Sequence, residues 1–441
     1  VPSRERLGRI FSLALPIIGG MVSQNVLNLV DTAMVGRLGE EALAAVGIAG
    51  FANFMAIAFI TGMSAGVQAT AARRKGEGRE QEMAEPLNGG LLLALSMSLP
   101  WMSLLYWLVP DLFPYLSEDP AVVAEGVPYL RARLLGMAAV GMNYAFRGYW
   151  NGVDLSRLYL MTLVVMHACN IFLNWVLIFG HLGLPAYGAT GAGLGTMIST
   201  WIGTAVYVGL ALKKARHAGF LRGLPAATEL RTMLRLSVPA GAQQFVMACG
   251  YTAFFRIVGA VGTTELAAAN VVMNIMLVAI LPGLGFGIAA ASLVGQALGR
   301  GERDDAQRWG WDVVTVSVGV MLVLGLPMLL LPDLVLQPFL TEAHTVAVAR
   351  PALQVVGATI FLDGIGMVLM MALQGAGDTR TSAVVAGSCQ WLVGLPVALL
   401  VGPVLGGGLA VVWASQALYR ALQAGIFAVI WSRGRWGRGA V

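Results

Sequence analysis

The sequence predicts an all-α integral membrane protein with twelve transmembrane helices in two pseudo-symmetric six-helix bundles. Three observations lead there: a composition poor in charge, a series of long apolar runs parted by polar breaks, and an internal repeat at one constant offset. Only 12% of the 441 residues are charged and 57% are hydrophobic, with a mean hydropathy of +0.75. A soluble chain carries roughly twice that charge fraction. The 56 glycines suit helices that approach closely in a membrane. The 18 prolines predict kinked helices, tolerated where neighbours satisfy the freed carbonyls. The net charge of +5 is not a nucleic-acid signal, because the basic residues sit in connections, where they report topology.

Runs long enough to cross about 30 Å of hydrocarbon fall near 10–36, 43–71, 88–109, 121–148, 158–180, 188–212, 231–258, 264–297, 309–331, 345–374, 381–402 and 407–432. The connections alternate in charge. One set holds Arg4, Arg6 and Arg9; Arg73, Arg74, Lys75 and Arg79; Arg157; Lys213 to Arg235; Arg300, Arg303 and Arg308; Arg380; and Arg433, Arg435 and Arg438. The opposite set, including 110–120, 181–187 and 332–345, carries Arg37 as its one basic residue. The positive-inside rule then puts both termini in the cytoplasm, and the expected location is the inner (plasma) membrane. The long basic linker 213–235 divides the chain into an N-lobe, 1–212, and a C-lobe, 236–441, of six spans each. No signal-peptide pattern is expected at the start. Trp101, Trp107, Trp150, Trp309, Trp311, Trp431 and Trp436 fall near span ends and read as interface anchors.

The halves repeat. A shift of 223 residues carries Leu13 onto Leu236, Pro16 onto Pro239, Gly36 onto Gly259, Gly62 onto Gly285, Gly76 onto Gly299, Gly78 onto Gly301, Pro128 onto Pro351, Gly152 onto Gly375 and Arg157 onto Arg380. Composition bias would match scattered Ala and Leu, not Gly, Pro and Arg in one register. Parallel halves of this kind can rock about a site near the bilayer midplane. The loop glycines Gly76, Gly78, Gly299 and Gly301 are expected to end helices in left-handed turns.

One stretch breaks the apolar rule. In Leu29-Val30-Asp31-Thr32-Ala33-Met34-Val35-Gly36 an acid closes a run with no charge between Arg9 and itself. An intramembrane carboxylate is costly and usually lines a cavity or an ion path; the alternative is an acid at a helix end that snorkels to water. Asn28 lies one short turn earlier, on a similar face. Asn170 and Asn174 are at i and i+4 and share a face, as ligands or as interhelical glue. Asp363 is a second acid in an apolar run, either functional or neutralised by Arg350, Arg256 or a backbone donor. His167 reads as a packed residue or a relay. Phe245, Tyr251, Phe254, Phe255 and Trp175, with some of the 21 methionines, suit an adaptable apolar pocket. Cys169, Cys249 and Cys389 read as buried thiols. No zinc spacing, Walker loop or nucleophile elbow appears, so the chain is not expected to be an enzyme and needs no cofactor.

Three stretches stand out together: Leu13-Ala-Leu-Pro16 with Val30 to Gly36, Gly62-Met-Ser-Ala-Gly66 with Ala72-Arg-Arg-Lys-Gly76, and Leu373-Gln-Gly375-Ala-Gly-Asp378-Thr-Arg380 with its echo Asn151-Gly152-Val-Asp154. In these the chain resembles the multidrug and toxic compound extrusion (MATE) family. The resemblance implies a V-shaped pair of six-helix bundles and export of amphipathic cations in exchange for H+ or Na+. It also implies an N-lobe site in which Asp31 works with Asn170, Asn174, Thr196 and Thr200, and a first helix that bends at Pro16. Many members carry an Asp where this chain has Asn174. The missing anion makes H+ the expected coupling ion in preference to Na+. The stretch 240–256 lacks the acid of NorM-like members, which places the chain nearer the DinF-like branch, whereas Asp363 matches a C-lobe acid of NorM-like members. The expected partners are small amphipathic cations and the lipid bilayer, with no nucleic acid, and the protein is expected to act as a monomer. The other readings are a flippase for lipid-linked sugars from the same wider superfamily, disfavoured by the few central cations, and a channel or non-transporting scaffold, disfavoured by the repeat and the isolated acids. Position 254, 223 residues beyond Asp31, is Phe, so the acid is not duplicated in the second half.

Overall fold

The structure is a computed structural model that describes residues 2–434 and 436. Arg435 and Arg438, read above as part of the last basic connection, lie outside the described residues. Twelve long helical runs follow one another in chain order. They are α1 (Arg4–Gly36), α2 (Glu40–Thr61, resuming as Met63–Gly76), α3 (Glu85–Leu112), α4 (Pro120–Leu134 and Met137–Gly152), α5 (Ser156–Phe179) and α6 (Gly188–Lys214). The second half has α7 (Ala227–Val261), α8 (Thr263–Ala279 and Leu281–Gly299), α9 (Arg303–Leu330), α10 (Ala343–Gly375), α11 (Thr379–Val404) and α12 (Leu409–Ser432).

Ten of these runs are long and apolar enough to cross a membrane. The other two of the twelve runs, α4 and α12, are helical but more polar. Their lengths suffice, but α4 carries Glu125, Arg131, Arg133 and Arg147, and α12 carries Arg420 among Ser and Gln. Those polar residues are spent inside the protein: Arg131 Nε donates to the Tyr106 carbonyl at 2.9 Å, and Arg420 pairs with an acid described below.

Local chemistry explains the ends and breaks. Asp119 caps α4, its Oδ1 accepting from the Ala121 amide at 2.9 Å, with Pro120 in the first turn. Asp378 caps α11 by accepting from the Thr381 amide at 3.2 Å, which gives the Asp378-Thr-Arg380 motif a structural use. Its first-half echo, Asp154, pairs with Lys75 at 2.7 Å. Of the four loop glycines expected in left-handed turns, Gly78 (φ 73°) and Gly301 (φ 77°) adopt them. Gly76 and Gly299 are instead the last helical residues of their runs. Within α11, Cys389–Gly394 and Leu400–Val404 are π-helical, a widening often found at functional sites.

The chain forms two compact units. One is Gly19–Gly241; the other is Val1–Ile18 with Ala242–Val441. Chain order alone suggested halves at 1–212 and 236–441; compactness groups the first turns of α1 with the second half and those of α7 with the first. The two switch points, after Ile18 and after Gly241, lie just beyond Pro16 and Pro239, each inside its helix.

In the first unit, Val67, Phe146, Tyr149, Trp150, Tyr207 and Phe220 form one buried cluster, and Val35, Ile60, Phe113, Tyr129 and Ile178 another. Lipid is as apolar as a side chain, so helices associate through close contact rather than exclusion from water. Small residues supply it: a Cβ on Gly62 would strike the Gly241 backbone, and one on Gly148 the Ser64 carbonyl. In the second unit, Ile10, Leu13 and Ala14 of α1 are buried with Phe286, Leu293, Trp309 and Trp431. Arg6 binds Asp305 at 2.6 Å and Asp312 at 2.5 Å and lies 3.6 Å over the Trp309 ring. Trp150, Trp309, Trp431 and Trp436 are therefore buried in the protein, which corrects their reading as interface anchors. Trp101 and Trp107 are exposed, as anchors require.

A polar seam in the first unit and a paired acid in the second

The first unit holds a hydrogen-bonded seam between α1, α5 and α6. Asn174 Nδ2 donates to Asp31 Oδ1 at 2.8 Å and to Asn170 Oδ1 at 2.9 Å. Asn170 Nδ2 donates in turn to Thr196 Oγ1 at 3.2 Å and to Ser199 Oγ at 3.0 Å. The two hydroxyls spend their protons on backbone carbonyls of α6, Thr196 on Ala192 and Ser199 on Thr196, both at 2.9 Å. Asn174 is thus the branch point: one of its N–H groups holds Asp31 on α1 and the other holds Asn170, which in turn donates to the two hydroxyls of α6. Asn170 and Asn174 are buried at 1% and 0% exposure. Their i, i+4 spacing on α5 stacks one amide on the other.

Two gaps in this seam matter. Asn174 Oδ1 is buried without a partner, and Gly195 makes room for it, since a Cβ there would collide with that oxygen. A buried acceptor beside a carboxyl is where a proton or a cation would be welcome. Arg133 is within electrostatic reach of Asp31, but its Nη1 donates to the Tyr129 hydroxyl at 2.8 Å.

The remaining site candidates take distinct places. Thr200 Oγ1 donates to the Thr196 carbonyl at 2.7 Å, and its own carbonyl accepts from Asn143 Nδ2 at 3.2 Å. Asn28 is exposed; its Oδ1 accepts from Gln24 Nε2 at 3.2 Å rather than meeting Asp31. Gln24 Oε1 faces His167 Nε2 at 3.1 Å, and Ser23 Oγ meets His167 Nδ1 at 2.5 Å. The imidazole is therefore held from α1 through both nitrogens. Sequence reasoning did not single out Ser23, Gln24, Asn143 or Ser199. Helical spacing could have shown Gln24 one turn before Asn28, and Ser199 three residues from Thr196.

In the second unit Asp363 is buried and paired. Its Oδ2 accepts from Arg420 Nη1 at 2.7 Å. The expected partners are corrected: Arg350 instead pairs with Asp333 at 2.7 Å, and the Asp363 partner comes from α12. Asp363 and Arg420 line a cavity of about 80 Å³ with Met, Tyr and Trp side chains. Of the aromatics expected to line a pocket, Tyr251 and Phe254 do so here, whereas Phe245 and Trp175 are exposed.

Among the described residues the chain is helical, with ten spans apolar enough to cross a membrane, which is the build of a multi-pass membrane protein. A family model described as MatE matches residues 16–176 and 239–400, once in each half and with starts one repeat apart, and the chain belongs to that family. Its members are transporters, not enzymes. The chain is 29% identical to a probable multidrug resistance protein NorM from a Synechococcus species, over 96% of this chain and 93% of the relative. It is likewise 29% identical to a probable NorM from Agrobacterium fabrum, over 91% of this chain and 88% of the relative. Those names lend no support to the expected placement nearer the DinF-like branch. Among solved structures, an outward-facing multidrug resistance MATE transporter of the MOP superfamily aligns with a TM-score of 0.89 at 22% identity, covering 97% of this chain and 96% of the other. A MOP superfamily transporter from Pyrococcus furiosus, for which a reversed polarity of the binding pocket was described, aligns with a TM-score of 0.88 at 21% identity, covering 96% of this chain and 95% of the other. At these identities the likeness establishes the fold.

Proposed function

We propose that the protein is a secondary active antiporter that exports amphipathic, mostly cationic compounds in exchange for H+, with Asp31 as the residue that couples the two. The observation that carries this reading is the bond from Asn174 Nδ2 to Asp31 Oδ1, which ties the carboxyl to the buried amides of α5 and, through Asn170, to the hydroxyls of α6. Ionised, Asp31 accepts that bond and offers a negative charge to a cation. Protonated, it becomes a donor, for which the unpartnered Asn174 Oδ1 is available, and its hold on a cation is lost. Proton and substrate then compete for one carboxyl, which is the requirement for exchange. A bend of α1 at Pro16 would let the site open alternately to the two sides.

Na+ is the weaker candidate on the same chemistry. The seam offers one carboxylate, with neutral amides and hydroxyls around it, and Asn174 stands where a second carboxylate would serve a metal cation. Asp363 carries its own counter-ion, so coupling is assigned to Asp31 alone. The relatives named for multidrug resistance support drug-like substrates. The arrangement of basic connections supports cytoplasmic termini; an inner-membrane location and a monomeric state belong to the same proposal.

The deciding experiment is export of a fluorescent organic cation from proteoliposomes under separate H+ and Na+ gradients, with Asp31→Asn and Asp363→Asn alongside. The reading requires H+-driven export that Asp31→Asn abolishes and Asp363→Asn, once its fold is verified, spares. Export that persists in Asp31→Asn sinks it.

A further inference from the structure

The repeat gives the polar seam a partial counterpart. The shift of 223 residues carries Asp31 onto Phe254, Asn143 onto Gly366, His167 onto Gln390, Thr196 onto Tyr419 and Thr200 onto Gln423. All five second-half residues line the cavity that holds Asp363 and Arg420. The cavity thus shares part of its positions with the first unit's site, while Asn170, Asn174 and Ser199 fall on Val393, Val397 and Leu422, which do not line it. Its charges come from positions that are Val140 and Met197 in the first half.

We infer that this cavity is a second ligand site, selective for uncharged amphipaths that carry a carbonyl acceptor, and distinct from the cation site proposed at Asp31. The argument is one of charge and unspent hydrogen bonds. Asp363 and Arg420 neutralise each other at 2.7 Å, so a charged ligand would be desolvated with no free counter-charge to meet it. Arg420 is 9% exposed. Its Nε donates to the Gln416 carbonyl at 3.3 Å and its Nη1 to Asp363 and to Met276 Sδ at 3.4 Å, while Nη2 is buried with no partner. A guanidinium only donates, so an occupant that satisfies Nη2 must bring an acceptor.

Gln390 supplies the complementary half. It is 6% exposed, its Nε2 donates to the Met247 carbonyl at 3.3 Å, and its Oε1 is buried without a partner. It sits at the start of the π-helical turn Cys389–Gly394 of α11, and Gly250 on α7 admits it, since a Cβ there would strike its amide. An acceptor suits the first unspent atom and an N–H or O–H donor the second, and a carboxamide carries both. The walls suit varied apolar bodies: Met247, Met273, Met276, Met367 and Met370 line the cavity, and unbranched thioethers repack around different shapes. Phe254, Tyr251 and Trp413 add flat faces.

The test is isothermal titration of the purified full-length protein carrying Asp31→Asn, which silences the cation site proposed at Asp31, in detergent with three probes on one ring system: 2-naphthamide, 2-naphthoate and 2-naphthyl-trimethylammonium. The amide is expected to bind roughly tenfold tighter than the ammonium, the ratio one hydrogen bond to a charged group supplies. In the paired substitution Asp363→Leu/Arg420→Met that ratio collapses toward one. Because that variant alters the core, Arg420→Lys and Gln390→Leu are measured as well. Lys keeps the charge for Asp363 but loses the second nitrogen, and Leu removes the acceptor, so each lowers amide affinity while leaving ammonium affinity unchanged. The inference is overturned if the ammonium or the naphthoate binds as tightly as the amide, if the amide shows no saturable binding, or if the preference survives in Arg420→Lys and Gln390→Leu.

Discussion

Asn174 on α5 donates to Asp31 on α1 at 2.8 Å and leaves its own carbonyl oxygen buried without a partner. One amide therefore both holds the carboxyl and keeps an acceptor in reserve beside it. Asp31→Asn keeps the size of the side chain and the chance of a hydrogen bond to Asn174 while removing the charge and the exchangeable proton. The expected outcome is a fall in H+-driven cation export on the order of tenfold or more, with thermal stability in detergent little changed. Initial rates of dye export in proteoliposomes, set against a melting curve of the same preparation, check both halves of the statement.

Asn174 also decides the choice of ion. Asn174→Asp would place a second carboxylate against the first, with Gly195 leaving room for its oxygen and Asn170 Nδ2 still engaged with Thr196 and Ser199. Two carboxylates repel unless a cation sits between them, and Na+ is a hard cation that prefers oxygen ligands. The variant is expected to acquire export driven by a Na+ gradient, by a factor on the order of ten over the parent protein. Transport rates under a Na+ gradient at equal pH on both sides check it, and equal, Na+-indifferent rates in the two proteins would count against it.

The sequence exposed the scaffold better than the partnerships. Pro16, Asp31 and the run of Gly and Pro matches at one offset were visible because they are exceptions to their apolar surroundings, and such exceptions survive without coordinates. The i, i+4 spacing of Asn170 and Asn174 correctly placed two amides together, since that spacing is a property of one helix. Asn28 shows the limit of the same rule. It shares a rough face with Asp31, yet its side chain turns to Gln24. Arg420 went unread because its partner lies 57 residues earlier, on another helix, and nothing in the α12 sequence marks it as different from an interfacial arginine. The tryptophans at span ends failed for a related reason: distance from a predicted boundary does not say whether a ring faces lipid, and Trp150 and Trp431 face protein.

Close backbone approach in the first unit predicts a graded response at two glycines of one helix. At Gly62, where α2 breaks, an added Cβ would meet the Gly241 backbone and the Ser237 carbonyl, and backbone cannot swing aside as a side chain can. At Gly50, earlier on α2, an added Cβ meets nothing within 4 Å. Gly62→Ala is expected to destabilise by about 1–3 kcal/mol through overpacking. Gly50→Ala is expected to be neutral or slightly stabilising, by up to about 1 kcal/mol of helix propensity. Melting temperatures of the two variants in the same detergent check the contrast, and equal shifts would show that the contact at Gly62 does not bear on stability.

The Asp363–Arg420 pair predicts strong non-additivity. Asp363→Leu alone strands a buried guanidinium that already has one unpartnered nitrogen, and Arg420→Met alone strands a buried carboxylate. Breaking a buried pair from one side costs about 3–5 kcal/mol. Removing both charges at once avoids that penalty, and apolar replacements of similar volume often restore or exceed the original stability. Each single variant is therefore expected to melt well below the parent, and the paired variant to return most of the loss, because Met273, Met276, Met367 and Met370 beside the pair can close around Leu and Met. Melting curves of the four proteins form a double-mutant cycle whose coupling energy isolates the pair. A coupling near zero would mean that Asp363 and Arg420 do not depend on each other for a place in the core.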